Sequence, residues 1–561
     1  YPQTCSARYS GRVFMRYAAY LCLSGAATQC TCFEGSMFNV SKVGWHNEAH
    51  RPCRRGRWAL FIAKIKSSGR RDIMLYPLIE TAEALLKTYR TVPVFSARLM
   101  DCRTPVGIFA ALKENFENCF LLESVEQSER WGRYSFICVE PRGKITLQNG
   151  KAVVSVKDGC YSETVADPAK FINRCLSKYS SPHLKGYPRF TGGFVGYFGY
   201  DMLRCFEKTL GKPPADDLKM PDSILYLCDE VIAFDHLNGK TYVIMHVSSA
   251  SNLKQQYEKC EDRAEKLFCM MDRTPEKSGR KQRPAPVVSS NVTREEFVRE
   301  IKKVKSYIKA GDIFQAVPSQ RFEVENPPDA FSAYRVLRAT NPSPYLYYFQ
   351  APDYQIAGAS PEMLMRIDGR TVVNCPIAGT SPRGRNDKED KEFEQRLLND
   401  EKERAEHTML VDLGRNDVGR VCKFGTVKVN NLMHVERASR VMHLVSEVSG
   451  TLKDGKTAAD ALFSLLPAGT LSGAPKIRAM QIIDELEPVK RSVYGGAVGY
   501  LGFDGNADTC IAIRMALFRN GKAYVQAGMG VVADSNPEKE YQESADKAGA
   551  VLSAIRKAAE L

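Results

Sequence analysis

The 561-residue sequence has no apolar run approaching the roughly 20 residues needed to cross a bilayer, because Gly, Asp or Lys interrupts even its best stretches. That lack argues against a membrane-spanning role. There is also no CxxC repeat of zinc-ligand spacing: the 17 cysteines are odd in number and scattered, with Cys30 and Cys32 the one close pair. A chain of this size needs no disulfide framework, so a reducing cytosol suits its cysteine usage best. No GxSxG or GxGxxG follows a strand, and 469–476 lacks the glycine that a phosphate-binding loop places before its lysine. Triad and nucleotide chemistry are thereby demoted. Nor does the body of the chain contain a basic stretch interleaved with aromatics of the kind that grips single strands.

What is present is a composition of 44% hydrophobic and 26% charged residues, enough for two or three globular domains. The net charge of +14 is uneven. Residues 1–73 hold 12 Lys or Arg against Glu34, Glu48 and Asp72, a surplus of nine that leaves five for the other 488 residues. A nearly balanced body suits a small dianionic substrate, and no nucleic-acid partner is expected. The Arg-rich, acid-poor residues 1–73 read as an upstream extension, with Met74 opening the working protein in the cytoplasm. A transit peptide, which would direct the chain to a plastid, and a poor secretory signal are the alternatives.

From residue 76 the pattern turns globular. Spacing of Ala82, Leu85 and Leu86 predicts a helix over 79–88, followed by extended sequence to 232, within an N-terminal domain at 74–272. Residues 273–291 mix Pro, Ser and charge without apolar periodicity and read as a linker. The second domain, 292–561, opens with an amphipathic helix over 294–310, where Phe297, Ile301, Val304 and Ile308 form the apolar face and Gly311 the stop. Strands at 345–349, 497–503 and 523–532 lack a βαβ rhythm, which predicts an α+β fold with antiparallel sheets. GGFVGYFGYD (192–201) and GGAVGYLGFD (495–504) agree at seven of ten positions. Their alternating glycines clear a strand face for another backbone or a ligand, tight sheet packing being the plainer account.

Two acidic stretches stand out. A helix over 392–413 would carry Glu403 and Glu406 on one face beside His407, although with Lys402 and Arg404 nearby an ordinary solvated face is the plainer reading. Asn536 and Pro537 suit the cap and first position of a second helix, with Glu540, Glu543 and Lys547 along one side. Just before it, Ala527-Gly528-Met529-Gly530 offers backbone N–H groups. Carboxylates from two helices are what magnesium tolerates when water and substrate oxygens complete its shell. A magnesium-bridged acidic substrate is the physical inference, with a capped surface helix as the alternative.

Eight strings together resemble the chorismate-utilising enzyme family, and within it the anthranilate synthase large subunits. They are GDIFQAVPSQRF (311–322), GASPEML (358–364), CPIAGT (375–380), EKERAEHTMLVDLGRNDVGRV (401–421), PAGTLSGAPK (467–476), YGGAVGYLGFDG (494–505), IAIR (511–514) and AGMGVVADSNPEKEYQES (527–544). The resemblance spans residues 74–561 and implies that family's fold of antiparallel sheets flanked by helices. It implies that Glu406 and Glu543 coordinate Mg2+, supported by Glu403 and Glu540, and that the metal anchors the ring carboxylate of chorismate. It places Gly379, Thr380, Tyr494, Arg514, Gly528, Met529 and Gly530 around the substrate, with Thr470 and Lys547 bordering it. Arg514 is suited to a bidentate grip on the enolpyruvyl carboxylate. Glu362 is the expected general acid for the departing ring hydroxyl, and His443 matches the residue associated with elimination of pyruvate. Read alone, a single histidine is more often structural.

Two positions separate the sister enzymes. Family members that add water carry a lysine base where this chain has Gln315, and many aminodeoxychorismate synthases carry a nucleophilic lysine where it has Ala378. Ammonia addition giving anthranilate, the first step of tryptophan synthesis, is therefore expected. Aminodeoxychorismate synthase component I and a non-catalytic tryptophan-sensing scaffold are the alternatives. Leu122, Glu123 and Ser124, together with Pro344, Tyr345 and Leu346, resemble the family's tryptophan-binding strings and imply feedback inhibition. Leu346 stands where methionine is usual, and Cys375 where arginine is frequent. No segment resembles a glutamine amidotransferase, so the resemblance implies a separate ammonia-supplying small subunit, in a heterotetramer of two large and two small chains.

Overall fold

Two-residue alternation of apolar side chains stacks this molecule in layers. In the strand Cys119–Glu123, Cys119 and Leu121 enter one core while Phe120 enters another, and in Tyr345–Gln350 Leu346 and Tyr348 oppose Tyr347 and Phe349 in the same way. The structure, a computed structural model, describes residues 73–124, 132–156, 159–273, 284–437 and 441–561. The expected extension at 1–73 lies outside the described residues except for Ile73.

One sheet has 11 strands in the order Val92–Leu99, Lys240–Val247, Glu230–Asp235, Tyr134–Val139, Cys119–Glu123, Tyr345–Gln350, Gln355–Ser360, Met515–Arg519, Lys522–Gly528, Ser319–Glu325 and Val287–Ser290. The other runs Ile377–Pro382, Val441–Thr451, Thr371–Asn374, Met363–Asp368, Ala507–Ile511, Ala497–Gly502, Gly193–Phe198, Ser223–Cys228, Gly143–Gln148, Lys151–Val156 and Gly159–Thr164, with Lys428–Arg437 also paired to Val441–Thr451. The pairing is antiparallel, as the sequence predicted. Segments from 74–272 and from 292–561 contribute strands to both sheets.

Between the sheets lies an aromatic core of Phe120, Phe136, Tyr197, Tyr226, Tyr347, Phe349 and Tyr500. Burial of each such ring stabilises the fold by about 1.5–3 kcal/mol. On the outer face of the first sheet pack the helices Pro105–Lys113, Leu253–Met271, Ala330–Thr340 and Pro537–Ala559, through Phe109, Phe268, Tyr334 and Ile555. On the outer face of the second pack Pro168–Ser177, Glu401–Val421 and Ala458–Leu465, through Ile172, Val418 and Leu462. The two acidic helices thus belong to opposite outer layers. Among the described residues no helix is long and apolar enough to cross a membrane.

The glycines of the repeat let backbones pack closely. Its copies pair with each other, Gly193–Phe198 against Ala497–Gly502, with Gly196 opposite Gly499. A Cβ on Gly196 would lie 1.9 Å from the Ile224 carbonyl oxygen, and one on Gly499 2.1 Å from that of Asp508.

Several sequence expectations need correction. The single helix expected over 392–413 is two, Asp387–Asn399 and Glu401–Val421, because Asp400 leaves the helical region to end one and cap the other. The expected linker includes an edge strand, Val287–Ser290, whose β-branched pair extends the first sheet. The extended region before 232 contains Pro105–Lys113 and Pro168–Ser177, capped by Thr104 and Asp167, each with proline at the first position. The strand expected over 523–532 stops at Gly528.

Candidate active site

The two acidic helices begin as their caps require. Asp400 accepts the Glu403 N–H at 3.0 Å, and Asn536 accepts those of Glu538 and Lys539 at 3.0 and 3.2 Å. Glu403 and Glu540 therefore sit in the first turns of their helices, where unpaired N–H groups favour negative charge, and Glu406 and Glu543 follow in the second turns. Their carboxylates nevertheless strain against one another. Partial burial raises the Glu403 pKa, and the charges of Glu406 on its own helix and Glu543 on the other raise it further. Burial likewise raises Glu540, against a Ser535 hydrogen bond, and Glu543 adds to the rise. Lys547 partly offsets this crowding by pairing with Glu543 at 2.7 Å.

Facing this cluster is Gln315, on a two-strand ribbon where it pairs with Ala474. Its Nε2 donates to Glu406 Oε1 at 3.1 Å, whereas its buried Oε1 has no partner among the described residues. Gly530 admits this amide: a Cβ there would lie 2.5 Å from Gln315 Nε2. At Gly528 a Cβ would lie 3.2 Å from the Tyr494 hydroxyl oxygen, so both glycines keep a wall of the site bare. Met529 differs from its neighbours. Its side chain is turned into the core with Phe297 and Ile301, and its N–H reaches the Pro318 carbonyl at 3.4 Å, so no side-chain contact with a ligand is available.

Arg514 adopts a left-handed backbone conformation, φ 52°, and donates to the Lys547 carbonyl at 3.0 Å. Burial lowers its pKa, opposed by Tyr494 and Glu543, while its own charge lowers that of His443. His443 Nδ1 lies 3.1 Å from Thr380 Oγ1 and 3.2 Å from the Gly379 carbonyl. A carbonyl only accepts, so that contact calls for Nδ1–H and leaves Nε2 as the basic nitrogen. Burial is the main cause lowering this histidine's pKa and keeping the ring neutral.

Glu362 is the most perturbed carboxyl of the site. It is 8% exposed, and burial pushes its pKa up to about 8 against the opposing effects of a Thr470 hydrogen bond and the Lys547 charge. Thr470 Oγ1 donates to Glu362 Oε1 at 3.1 Å, and a cavity of about 30 Å³ beside them is lined also by Leu410, Leu413 and Asp417. Glu362 is protonated at neutral pH, the state an acid catalyst needs.

A second group of expected residues meets elsewhere. Glu123 pairs with Leu346 and Leu122 with Tyr347 across two strands, bringing the strings Leu122-Glu123-Ser124 and Pro344-Tyr345-Leu346 together. Glu123 accepts from Tyr334 Oη at 2.6 Å and from Arg338 Nε at 2.9 Å. Tyr345 Oη donates to Asp508 at 2.8 Å, and Ser124 Oγ is buried without a partner among the described residues.

Sequence reasoning missed the buried pair Glu487 and Arg491 behind Tyr494, because acids and bases four apart ordinarily mark a solvated surface. Among the described residues no three His, Cys, Asp or Glu side chains come close enough to hold a metal unaided.

A family profile described as chorismate binding enzyme matches residues 117–553. The chain belongs to the chorismate-binding enzyme family. It is 47% identical over 495 residues to anthranilate synthase component 1 of Acetivibrio thermocellus, covering 87% of this chain and 100% of that one. It is 46% identical to the protein of that name from Pseudomonas aeruginosa, covering 83% and 96%. The crystal structure of anthranilate synthase component I from Streptococcus pneumoniae superposes with a TM-score of 0.67 at 39% identity, covering 76% of this chorismate-binding chain and 94% of that one.

Proposed function

We propose that the chain converts chorismate and ammonia into anthranilate, pyruvate and water, the first step of tryptophan synthesis. The observation that carries this reading is the presence in one site of a buried Glu362, its pKa pushed up to about 8, and of an amide at position 315 bonded to Glu406. Glu362 gives its proton to the ring hydroxyl, which departs as water as ammonia attacks the ring carbon next to the one bearing the carboxylate and the two ring double bonds shift toward the carbon that loses the hydroxyl. Gln315 cannot deprotonate water, so hydration is not promoted and the amine is the effective nucleophile. His443 Nε2 then takes a ring proton as the enolpyruvyl group leaves to become pyruvate, and the ring becomes aromatic. Arg514 and Tyr494 hold the enolpyruvyl carboxylate, with the bare backbone of Gly379, Gly528 and Gly530 admitting the substrate beside Thr380.

The mutual repulsion of carboxylates from two helices fits a divalent cation. Glu406 and Glu543 would hold Mg2+, with Glu403 and Glu540 behind them, and water and substrate oxygens completing a shell that the protein leaves short. Bound there, Mg2+ supplies the positive charge that anchors the ring carboxylate. The name component 1 carried by the relatives supports a partner that delivers ammonia, and we infer a glutamine amidotransferase small subunit in a heterotetramer. The apposed strings around Glu123 and Tyr345 support a site for tryptophan as feedback inhibitor.

Anthranilate fluorescence with chorismate, Mg2+ and ammonium, with and without tryptophan, tests the proposal. A Mg2+-dependent signal that tryptophan suppresses is expected. Chorismate consumption without anthranilate would sink the product assignment.

A further inference from the structure

We infer that Arg491 is the positioning residue of the chorismate pocket, tying together, through its buried ion pair with Glu487, four segments that carry pocket residues. The inference rests on the pocket described above and assigns a role to a residue outside it.

Arg491 is 3% exposed and its partner Glu487 5%. Burying such a pair costs more in desolvation than a surface pair returns, so its retention calls for a geometric task. Nε and Nη2 form a fork on Glu487 at 2.9 and 2.5 Å. The remaining donors leave the pair. Nη1 donates to the Leu471 carbonyl at 2.5 Å, next to Thr470, whose hydroxyl bonds Glu362. Nη2 also donates to the Val317 carbonyl at 2.5 Å, two residues beyond Gln315. The guanidinium lies 5.8 Å from the ring centroid of Tyr494 and 4.5 Å from that of Tyr200.

Glu487 extends the arrangement to a fourth segment. Its Oε1 accepts the Ser319 N–H and hydroxyl, each at 2.8 Å, and Ser319 pairs across the sheet with Gly528. The acid's hydroxyl partner, the amide facing the carboxylates, the Tyr494 ring and the bare glycine strand are thus all registered on one ion pair. A lysine could keep the charge but not the planar fork that reaches Glu487 and two carbonyls together.

The experiment compares purified Arg491→Lys, Ser319→Ala and Arg204→Lys with wild type, measuring kcat and KM for chorismate with ammonium, alongside melting temperature. Arg204 is a control: it pairs with Asp201 and Asp484 at 2.8 and 2.6 Å and touches no pocket segment. Displacing reacting groups by about 1 Å costs on the order of 10²-fold. Arg491→Lys is therefore expected to lose about 30- to 100-fold in kcat/KM with a raised KM, and to be non-additive with Tyr494→Phe. Arg204→Lys should stay within about twofold at a comparable melting temperature. A folded Arg491→Lys within threefold of wild type, or a loss matched by Arg204→Lys, would overturn the inference. Should Arg491→Lys fail to fold, Ser319→Ala decides: a loss of about fivefold supports the inference, and unchanged kinetics overturn it. Unaltered kinetics in Arg514→Gln would overturn the pocket assignment itself, and the inference with it, a result readable apart from the Arg491 outcome.

Discussion

Two regions of this protein bury carboxylates and treat them in opposite ways. Around Glu123 the carboxylate is matched by Tyr334 and Arg338, and Asp508 is matched by Tyr345 and Arg366. Around Glu362 and Gln315 valences stay open: a carboxyl with a single hydroxyl donor, an orphaned amide oxygen, and glutamates crowding one another from two helices. Unsatisfied polar groups at a buried site are costly unless a ligand completes them. The contrast separates a region that reacts from one whose carboxylates are matched, where the Ser124 hydroxyl and not a carboxylate is left open.

If openness marks chemistry, the largest effects belong to Glu362. Glu362→Gln should lower kcat by about 10² to 10⁴. Because the protonated carboxyl is the active form, wild-type activity should lose the contribution of this acid as pH rises through about 8, and the variant's residual rate should not show that fall. A pH–rate profile checks both. The same raised pKa has a sign in stability. Between its ordinary 4.5 and about 8 the folded protein holds a proton that the unfolded chain has released, so stability falls as pH rises across that window. Denaturant titrations at both ends should find the decline smaller in Glu362→Gln.

The crowded carboxylates come next. Glu406→Gln and Glu543→Gln should each weaken the affinity for Mg2+ by about 10- to 100-fold, read as a higher free Mg2+ for half-maximal activity. Equal Mg2+ requirements in wild type and both variants would remove these glutamates from the metal site. Glu123→Gln, in the satisfied region, should leave chorismate turnover near wild type while raising the tryptophan concentration for half inhibition by about tenfold. A large loss of basal turnover would erase the distinction between the two regions.

How much of this was legible from sequence follows from the range of each interaction. The helix Arg294–Ala310 obeys local rules, with a capping box between Thr293 and Glu296 and Gly311 in the left-handed conformation at its end, and it appears where periodicity put it. The Asn536 cap and Pro537 were equally visible. What composition and spacing could not supply was juxtaposition. Nothing local relates Gln315 to Glu406, 91 positions away, or Thr470 to Glu362, 108 away; resemblance to a family assigned these residues to one site without pairing them. Arg491 stayed hidden because its signature is that of a solvated surface pair. Asp400 misled because a short polar residue inside a charged, helix-favouring stretch can continue a helix or cap a new one, and tertiary packing decides.

The smallest effect is also the sharpest test of the contrast. Tyr345→Phe removes the hydroxyl that donates to Asp508 while leaving Arg366 on the same carboxylate at 2.6 Å. Loss of one hydrogen bond from a partner that keeps another should cost about 1 kcal/mol, visible as a small drop in the denaturation midpoint without a change in its slope. Turnover should remain unchanged, since Tyr345 contributes to strand register and not to the reacting atoms. Asp508 lies on Ala507–Ile511, and Ile511 N–H donates to the Glu362 carbonyl at 3.0 Å, so a short route joins the two regions. Tryptophan inhibition weakened beyond what 1 kcal/mol accounts for would mean that the satisfied network is one of two alternative arrangements, and that its matched hydrogen bonds are the part that switches.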